Sequence, residues 1–448
     1  VTKTADAVRR HLDEPTARGL ARAVGRAVSD GSLTGGERLA PIRTVATELT
    51  LSPTTVSSAW ALLIRSGTIA TDGRRGTVVA ERVGAGPTRY RRALDRTTGF
   101  ATDLSTGVPD PALLPDLGPA LRRLQGVASS GSYLDAPVLP ALESQLGSDW
   151  PFEAETMTVV DGAMDALDLL TASTVRYGDR VAVENPCFPP LLDLLDAVGA
   201  EAVPVDLDDD GPLPASLAAA LASGATVVHL QPRAQNPTGA SLTEARAAAL
   251  ADVLRPGSAV VIENDSAGAV ATTPLVSLAE RLPGRVVHIR SFSKSFGPDL
   301  RLAAVGGPAR LLDPVVQRRY LGQGWSSRLL QHVLLDLLTQ PDSITAVDRA
   351  RLEYARRRRV VVDALARHGV AIGGRDGLNI WLPVADETAA LLRLASAGIG
   401  ATAGAPFAVG RGFSPYLRVT TGLLRDGHER VATELAAAAT VGSWAGAR

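Results

Sequence analysis

"HIRSFSKSFGPDLRLA" (His288 to Ala303) holds one of the two lysines, Lys3 and Lys294, in a chain whose Lys and Arg together number 46. Either cation serves on a solvated surface. A chain that uses arginine almost everywhere else therefore draws attention to a position where arginine would fail. Arginine cannot give up its proton and attack an aldehyde, whereas a lysine amine does both once burial or a neighbour lowers its pKa. The competing reading is a surviving surface lysine, and the flanking residues decide between the two. Lys294 closes a strand-like run, with hydroxyls at Ser291, Ser293 and Ser295, and Arg301 follows seven residues on.

An amine that forms an imine needs its aldehyde pinned nearby, and a phosphate on that aldehyde suits the permanently charged fork of arginine. Pyridoxal phosphate has both parts. "VVDGAMDALDLL" places Gly162, Ala163 and Met164 at a helix start after a strand, where free backbone N–H groups receive a phosphate. "VENPCFPP" offers Phe188 as an aromatic face for a pyridine ring, and "QNPTG" offers the Asn236 amide to a ring oxygen. Taken singly, Phe188 reads as core and Asn-Pro-Thr-Gly as a turn; their order gives them weight.

Strand-like runs ("RVAVE", "EAVPVD", "TVVHLQP", "AVVIEND", "RVVHIRSFS", "LRLAAVGG") alternate with Ala/Leu-rich helical runs, which predicts an α/β domain on a mainly parallel sheet. At 448 residues the chain has room for roughly two to three domains. No charged-then-apolar leader and no long uninterrupted apolar run is visible, so the expectation is a cytoplasmic protein. The single Cys187 excludes an internal disulfide and reads as an inert turn residue; no Cys/His cluster has metal-ligand spacing, so no metal is expected. The net charge of −1 hides +4 over residues 1–86 and −5 over the rest, which favours an N-terminal part that meets an anion.

That part reads as a helix from Ala17 to Asp30, a short helix from Pro41 to Leu49, the tight connection Thr50-Leu51, and a helix opened by Ser52 and Pro53. Val56, Ala59, Trp60 and Leu63 form its apolar stripe, and two short helices across a tight turn make a helix-turn-helix. Thr54, Thr55, Ser57 and Ser58 lie near the start of the second helix, where such helices meet base edges and phosphates. "TIATDGRRGTVVA" predicts a hairpin with Arg74 and Arg75 at its tip, suited to a DNA backbone. Residues 81–102, rich in Gly, Arg and Thr, read as a linker between a DNA-binding domain over 1–80 and a domain over 103–448.

"GERLAPIR", "SPTTVSSAWALLIRSG" and "RRGTVV" resemble, in register, the winged helix-turn-helix of the GntR family. The resemblance implies Arg43, Thr54, Thr55, Ser57, Arg74, Arg75 and Gly76 as DNA contacts; Ala40-Pro41-Ile42 departs from its pattern and removes a serine cap. From about Asp103 onward the chain resembles the fold-type-I aminotransferases, with an α+β small subdomain expected from about residue 345. That resemblance implies a pyridoxal 5'-phosphate imine at Lys294, Asn236 on the phenolic oxygen, and Arg301 and Ser291, with Ser293, at the phosphate. It further implies that Tyr133 reaches the phosphate in the neighbouring subunit of a homodimer and that Arg418 grips the carboxylate of an amine or amino-acid effector. The two modules together resemble the MocR group of bacterial transcription regulators, which implies double-stranded operator DNA as partner and a sensing role for the large domain.

One strand departs from the pattern. "VVIENDSAG" puts Asn264 where an aspartate holds the pyridine nitrogen protonated, and Ser266 where an aromatic or histidine stands. An amide cannot stabilise a pyridinium by charge, so cofactor binding is expected to outlast transamination. Asp265 could take the role only by turning against the strand's alternation. Two alternatives stand beside the regulator: a working aminotransferase with an appended module, and a regulator whose large domain no longer holds cofactor.

Overall fold

The computed structural model describes residues 2–29, 31–65, 68–72, 76–79, 89, 99–126, 132–410 and 414–442. They gather in two compact units, one centred on the N-terminal helices and one on a large sheet.

The N-terminal unit begins with a helix the sequence reading missed, Lys3–Arg9, capped by the Thr2 hydroxyl. Helices Ala17–Ser29, Ile42–Leu49 and Pro53–Arg65 follow, and strands Ile69–Asp72 and Gly76–Val79 pair antiparallel. Thr50 takes a left-handed φ of +56° to make the tight turn. Ser52 caps the next helix by accepting from the Thr55 N–H at 3.0 Å. The first helix of the motif starts at Ile42 with no side-chain cap, as the missing serine implied. Val56, Ala59, Trp60 and Leu63 are buried with Leu20, Val24 and Ala27 in one core. Arg74 and Arg75 lie outside the described residues.

The large unit carries an eight-stranded sheet in the order Thr156–Val160, Ala303–Gly307, Val286–Ser291, Val260–Asp265, Ala225–Leu230, Arg180–Asn185, Glu201–Asp208, Gly211–Pro212. Val260–Asp265 runs parallel to both Ala225–Leu230 and Val286–Ser291. Ala303–Gly307 is antiparallel to both its neighbours, a local departure from the mainly parallel expectation. Central strands are buried on both faces and therefore read as continuous Val/Ile/Leu runs. Polar side chains that interrupt these runs, Glu184, His229, Glu263 and His288, are buried too.

A smaller layer contains the long helix Pro341–Arg367 and a sheet ordered Ile380–Pro383, Tyr416–Val419, Thr402–Ala403. The short strand Thr102–Asp103 joins this layer by pairing with Ile399–Gly400, and Leu104 packs in its core. From there the chain reaches Asp110, whose buried carboxylate accepts from Arg357 at 2.8 Å and from Arg425 at 2.6 and 3.0 Å. Among the described residues no helix is long and apolar enough to cross a membrane.

Burial alone would raise the Asp110 pKa, but the Arg425 and Arg357 guanidiniums outweigh it and bring the group from 3.8 down to about 2. A depressed folded-state pKa stabilises the fold above the unfolded value and loses that contribution as pH falls through the folded one. Replacement Asp110→Asn is expected to cost roughly 2 kcal/mol in urea unfolding at pH 7, with the difference shrinking between about pH 4 and pH 2.

Candidate functional site

The strand Val286–Ser291 ends in a turn that carries Lys294 into a cavity of about 140 Å³ in the large unit. Its Nζ donates to the Gly107 carbonyl at 2.8 Å. Burial, assisted by the Arg418 charge, lowers the amine's pKa from 10.5 to about 8, which leaves about a tenth of it neutral at pH 7. The only other charged side chain lining the cavity, among the described residues, is Arg301.

Arg301 and the start of helix Ala163–Thr174 form a cradle. Gly162 takes φ +102°, and a Cβ there would lie 3.0 Å from Arg301 Nη2. Only glycine gives both that backbone and that close approach. Arg301 itself holds a left-handed φ of +50° and donates to the Asp161 carbonyl at 3.0 Å. The Ser291 and Ser293 hydroxyls are 2.9 Å apart, and both residues line the cavity with Gly162, Ala163 and Met164. A helix N-terminus, hydroxyls and a guanidinium together make a site for a phosphate dianion.

Phe188, Asn236, Asn264 and Ser266 also line the cavity, as the sequence reading placed them. That reading missed Gln231 and Asn379. Gln231 accepts from Ser266 Oγ at 3.1 Å and from the Asn236 N–H at 3.2 Å. Asn379 donates to Asn236 Oδ1 at 3.3 Å while accepting from the Thr420 hydroxyl at 3.0 Å. The available signal was a polar side chain at the edge of an apolar run, in "HLQP" and "LNIWLP".

Asp265 points away and is not a substitute for Asn264. Its carboxylate is fully buried against Arg233, at 2.8 and 3.1 Å, and accepts from the Gly268 N–H. Burial opposes its ionisation, and the Arg233 charge prevails to hold its pKa below the usual value. Asn264 is only 8% exposed, and its Oδ1 has no hydrogen-bond partner among the described residues.

Two expected residues stand outside the cavity. Tyr133 is 90% exposed, 6.1 Å from the Trp325 ring, and contributes nothing to the cavity of its own chain. Arg418 is 1% exposed, stacks 5.3 Å from Phe407, and donates to Thr402 Oγ1 and to the Ser105 carbonyl. It lies directly behind Gly107, where a Cβ would meet its Nη1 at 3.0 Å, so it supplies charge to the cavity without lining it. Burial raises the Cys187 pKa far above normal, so its thiol stays protonated.

Residues 101–435 match the aminotransferase class I and II family. The chain is 35% identical to the vitamin B6 salvage pathway transcriptional repressor PtsJ of Salmonella typhimurium, over 93% of this chain and 96% of that protein. It is 30% identical to the HTH-type transcriptional regulator TauR of Rhodobacter capsulatus, over 83% and 86% of the two chains. The chain belongs to the MocR group of GntR-type transcriptional regulators. Its large unit has the fold-type-I aminotransferase fold: Pyrococcus horikoshii kynurenine aminotransferase superposes with a TM-score of 0.71 at 21% identity, covering 79% of this chain and 95% of that one. MocR-type regulators thus combine an HTH module with a domain from a family that uses pyridoxal phosphate.

Two outcomes follow for this MocR-type chain. Acylation of Lys294 by an amine-selective reagent, followed by peptide mass mapping, should rise with a midpoint near pH 8. Gly162→Ala should weaken binding of pyridoxal phosphate by about tenfold or more while changing pyridoxal affinity little, as read by fluorescence titration, because the added Cβ displaces Arg301.

Proposed function

We propose that this regulator binds pyridoxal 5'-phosphate covalently at Lys294 and uses cofactor occupancy to alter its grip on operator DNA. The observation that carries the reading is a nucleophilic lysine amine in one cavity with a phosphate cradle, while the carboxylate expected at the ring nitrogen is an amide. The residues present fit the group: Gly162, Ala163, Met164, Ser291, Ser293 and Arg301 would hold its phosphate, Phe188 its ring face, and Asn236 its phenolic oxygen. When bound, the coenzyme supplies an electrophilic carbonyl and a conjugated ring. Lys294 provides the amine, kept partly neutral by burial and by the charge of Arg418. Asn264 and Ser266 face the cavity without charge, and among the described residues nothing anionic lines it to hold a protonated ring; sustained transamination is therefore not expected, and the domain acts as a sensor rather than an enzyme.

On the N-terminal unit, Arg43, Thr54 and Ser57 are exposed, Thr55 is half-buried beside Ser52, and Gly76 opens the second strand of the hairpin. These residues, with Arg74 and Arg75, form the proposed DNA face, the helix Pro53–Arg65 entering the major groove. A homodimer, with Tyr133 supplied to the partner's cofactor, would present two such faces to paired half-sites. A carboxylated amine effector would interact with Arg418 only after the Gly107 segment in front of it moves. Each ligand shifts the DNA-binding state only by its differential affinity for the two arrangements.

DNA fragments selected by the protein itself, titrated by fluorescence anisotropy with and without pyridoxal phosphate, test the reading. Affinity should change on adding the coenzyme, and Lys294→Ala should bind DNA yet show no such change. Arg43→Ala should weaken binding on every sequence and flatten the log–log salt slope by about one. Identical titrations with and without coenzyme, for a protein that binds it, would overturn the coupling. Repeated keto-acid turnover would instead favour an aminotransferase with an appended module.

A further inference from the structure

Behind the cavity lies a void of about 10 Å³ lined by Asn264, His229, Glu184, Gln231, Phe188 and their apolar neighbours. Three buried polar atoms without partners among the described residues belong to residues that line it: Asn264 Oδ1 and both ring nitrogens of His229. Leaving such atoms unsatisfied is costly, and a void of about this size holds one water when polar groups surround it. Burial lowers the His229 pKa to about 4, so the ring is neutral and offers one donor and one acceptor. Burial likewise raises Glu184 to about 8, and its two oxygens accept from the Gln231 N–H and the Gln235 amide. Burial thus disfavours a negative charge on Glu184, the carboxyl that lines the void behind Asn264, while Lys294 and Arg301 line the cavity in front and Arg418 lies close behind Gly107.

An amide turned by its carbonyl toward the void presents its NH2 toward the cavity. That group is a hydrogen-bond donor, which complements a pyridine nitrogen bearing a lone pair and repels one bearing a proton. Resting on the cofactor reading above, we infer that a single buried water held by His229 anchors the carbonyl of Asn264, so that its NH2 recognises the unprotonated ring nitrogen of the coenzyme. His229 is thus a positioning residue acting through Asn264, and the site selects a neutral pyridine in place of a pyridinium. The same donor lets the coenzyme bind tightly while denying it the charge that would make it a strong electron sink.

The test uses the full-length protein loaded with pyridoxal phosphate labelled with nitrogen-15 in the ring. The bound nitrogen should resonate in the range of neutral pyridines at pH 7, and Asn264→Asp should move it to the pyridinium range. His229→Leu should weaken coenzyme affinity about tenfold without protonating the ring. A pyridinium resonance in the unaltered protein overturns the inference and leaves the cofactor reading intact. Unchanged affinity in His229→Leu overturns the part assigned to His229. Failure of the labelled coenzyme to bind at all overturns the cofactor reading and this inference with it.

Discussion

Enclosing the Lys294 amine is the constraint on which the rest of the site depends. A buried ammonium without a carboxylate partner is costly, and the chain meets that cost by letting the group lose its proton readily. The Gly107 carbonyl holds the amine in place, and Arg418, packed under Gly107, adds repulsion that also favours the neutral form. The carbonyl accepts from the amine in either protonation state, and neither neighbour supplies the negative charge that would pair with an ammonium. Both make sense around an amine whose task is to attack a carbonyl carbon, and the cradle of Gly162, Ser291, Ser293 and Arg301 sets where the rest of that electrophile must lie.

Alternation along Val260–Asp265 then separates binding from catalysis. Neighbouring residues of a strand face opposite ways, so Arg233 fixes Asp265 on one side and Asn264 is turned to the cavity. Exchanging the two would require slipping the register against both parallel neighbours, at Val227 to Leu230 and at Val286 to Arg290. The buried ion pair thus keeps a carboxylate out of the cavity as firmly as it keeps one in the core, and the domain retains an aminotransferase fold with a neutral amide facing its cavity.

Much of this was legible in the residues. The rarity of lysine singled out Lys294, apolar runs located every central strand, and Ser52-Pro53 located the helix that follows the tight turn. Gly162, Phe188, Asn236 and Arg301 converge as their order suggested. What escaped was whatever depends on distant pairing: Gln231, Asn379 and the void behind Asn264 come together only once strands and layers are assembled. The family resemblance implied Arg418 at an effector carboxylate, but a resemblance of sequence does not show the Gly107 backbone that covers it. The opening helix Lys3–Arg9 was missed because it is short, and its place depends on tertiary packing with Glu48 accepting from Thr2.

The central claim is a carbon–nitrogen bond between Lys294 and an aldehyde coenzyme. Its most direct test is to incubate the purified protein with pyridoxal phosphate, reduce with borohydride, digest, and locate the added mass by peptide sequencing. One stoichiometric pyridoxyl label on Lys294, formed with a yellow absorbance before reduction, is the expected result. A colourless protein, or label spread over Lys3 and other amines with Lys294 untouched, would contradict it.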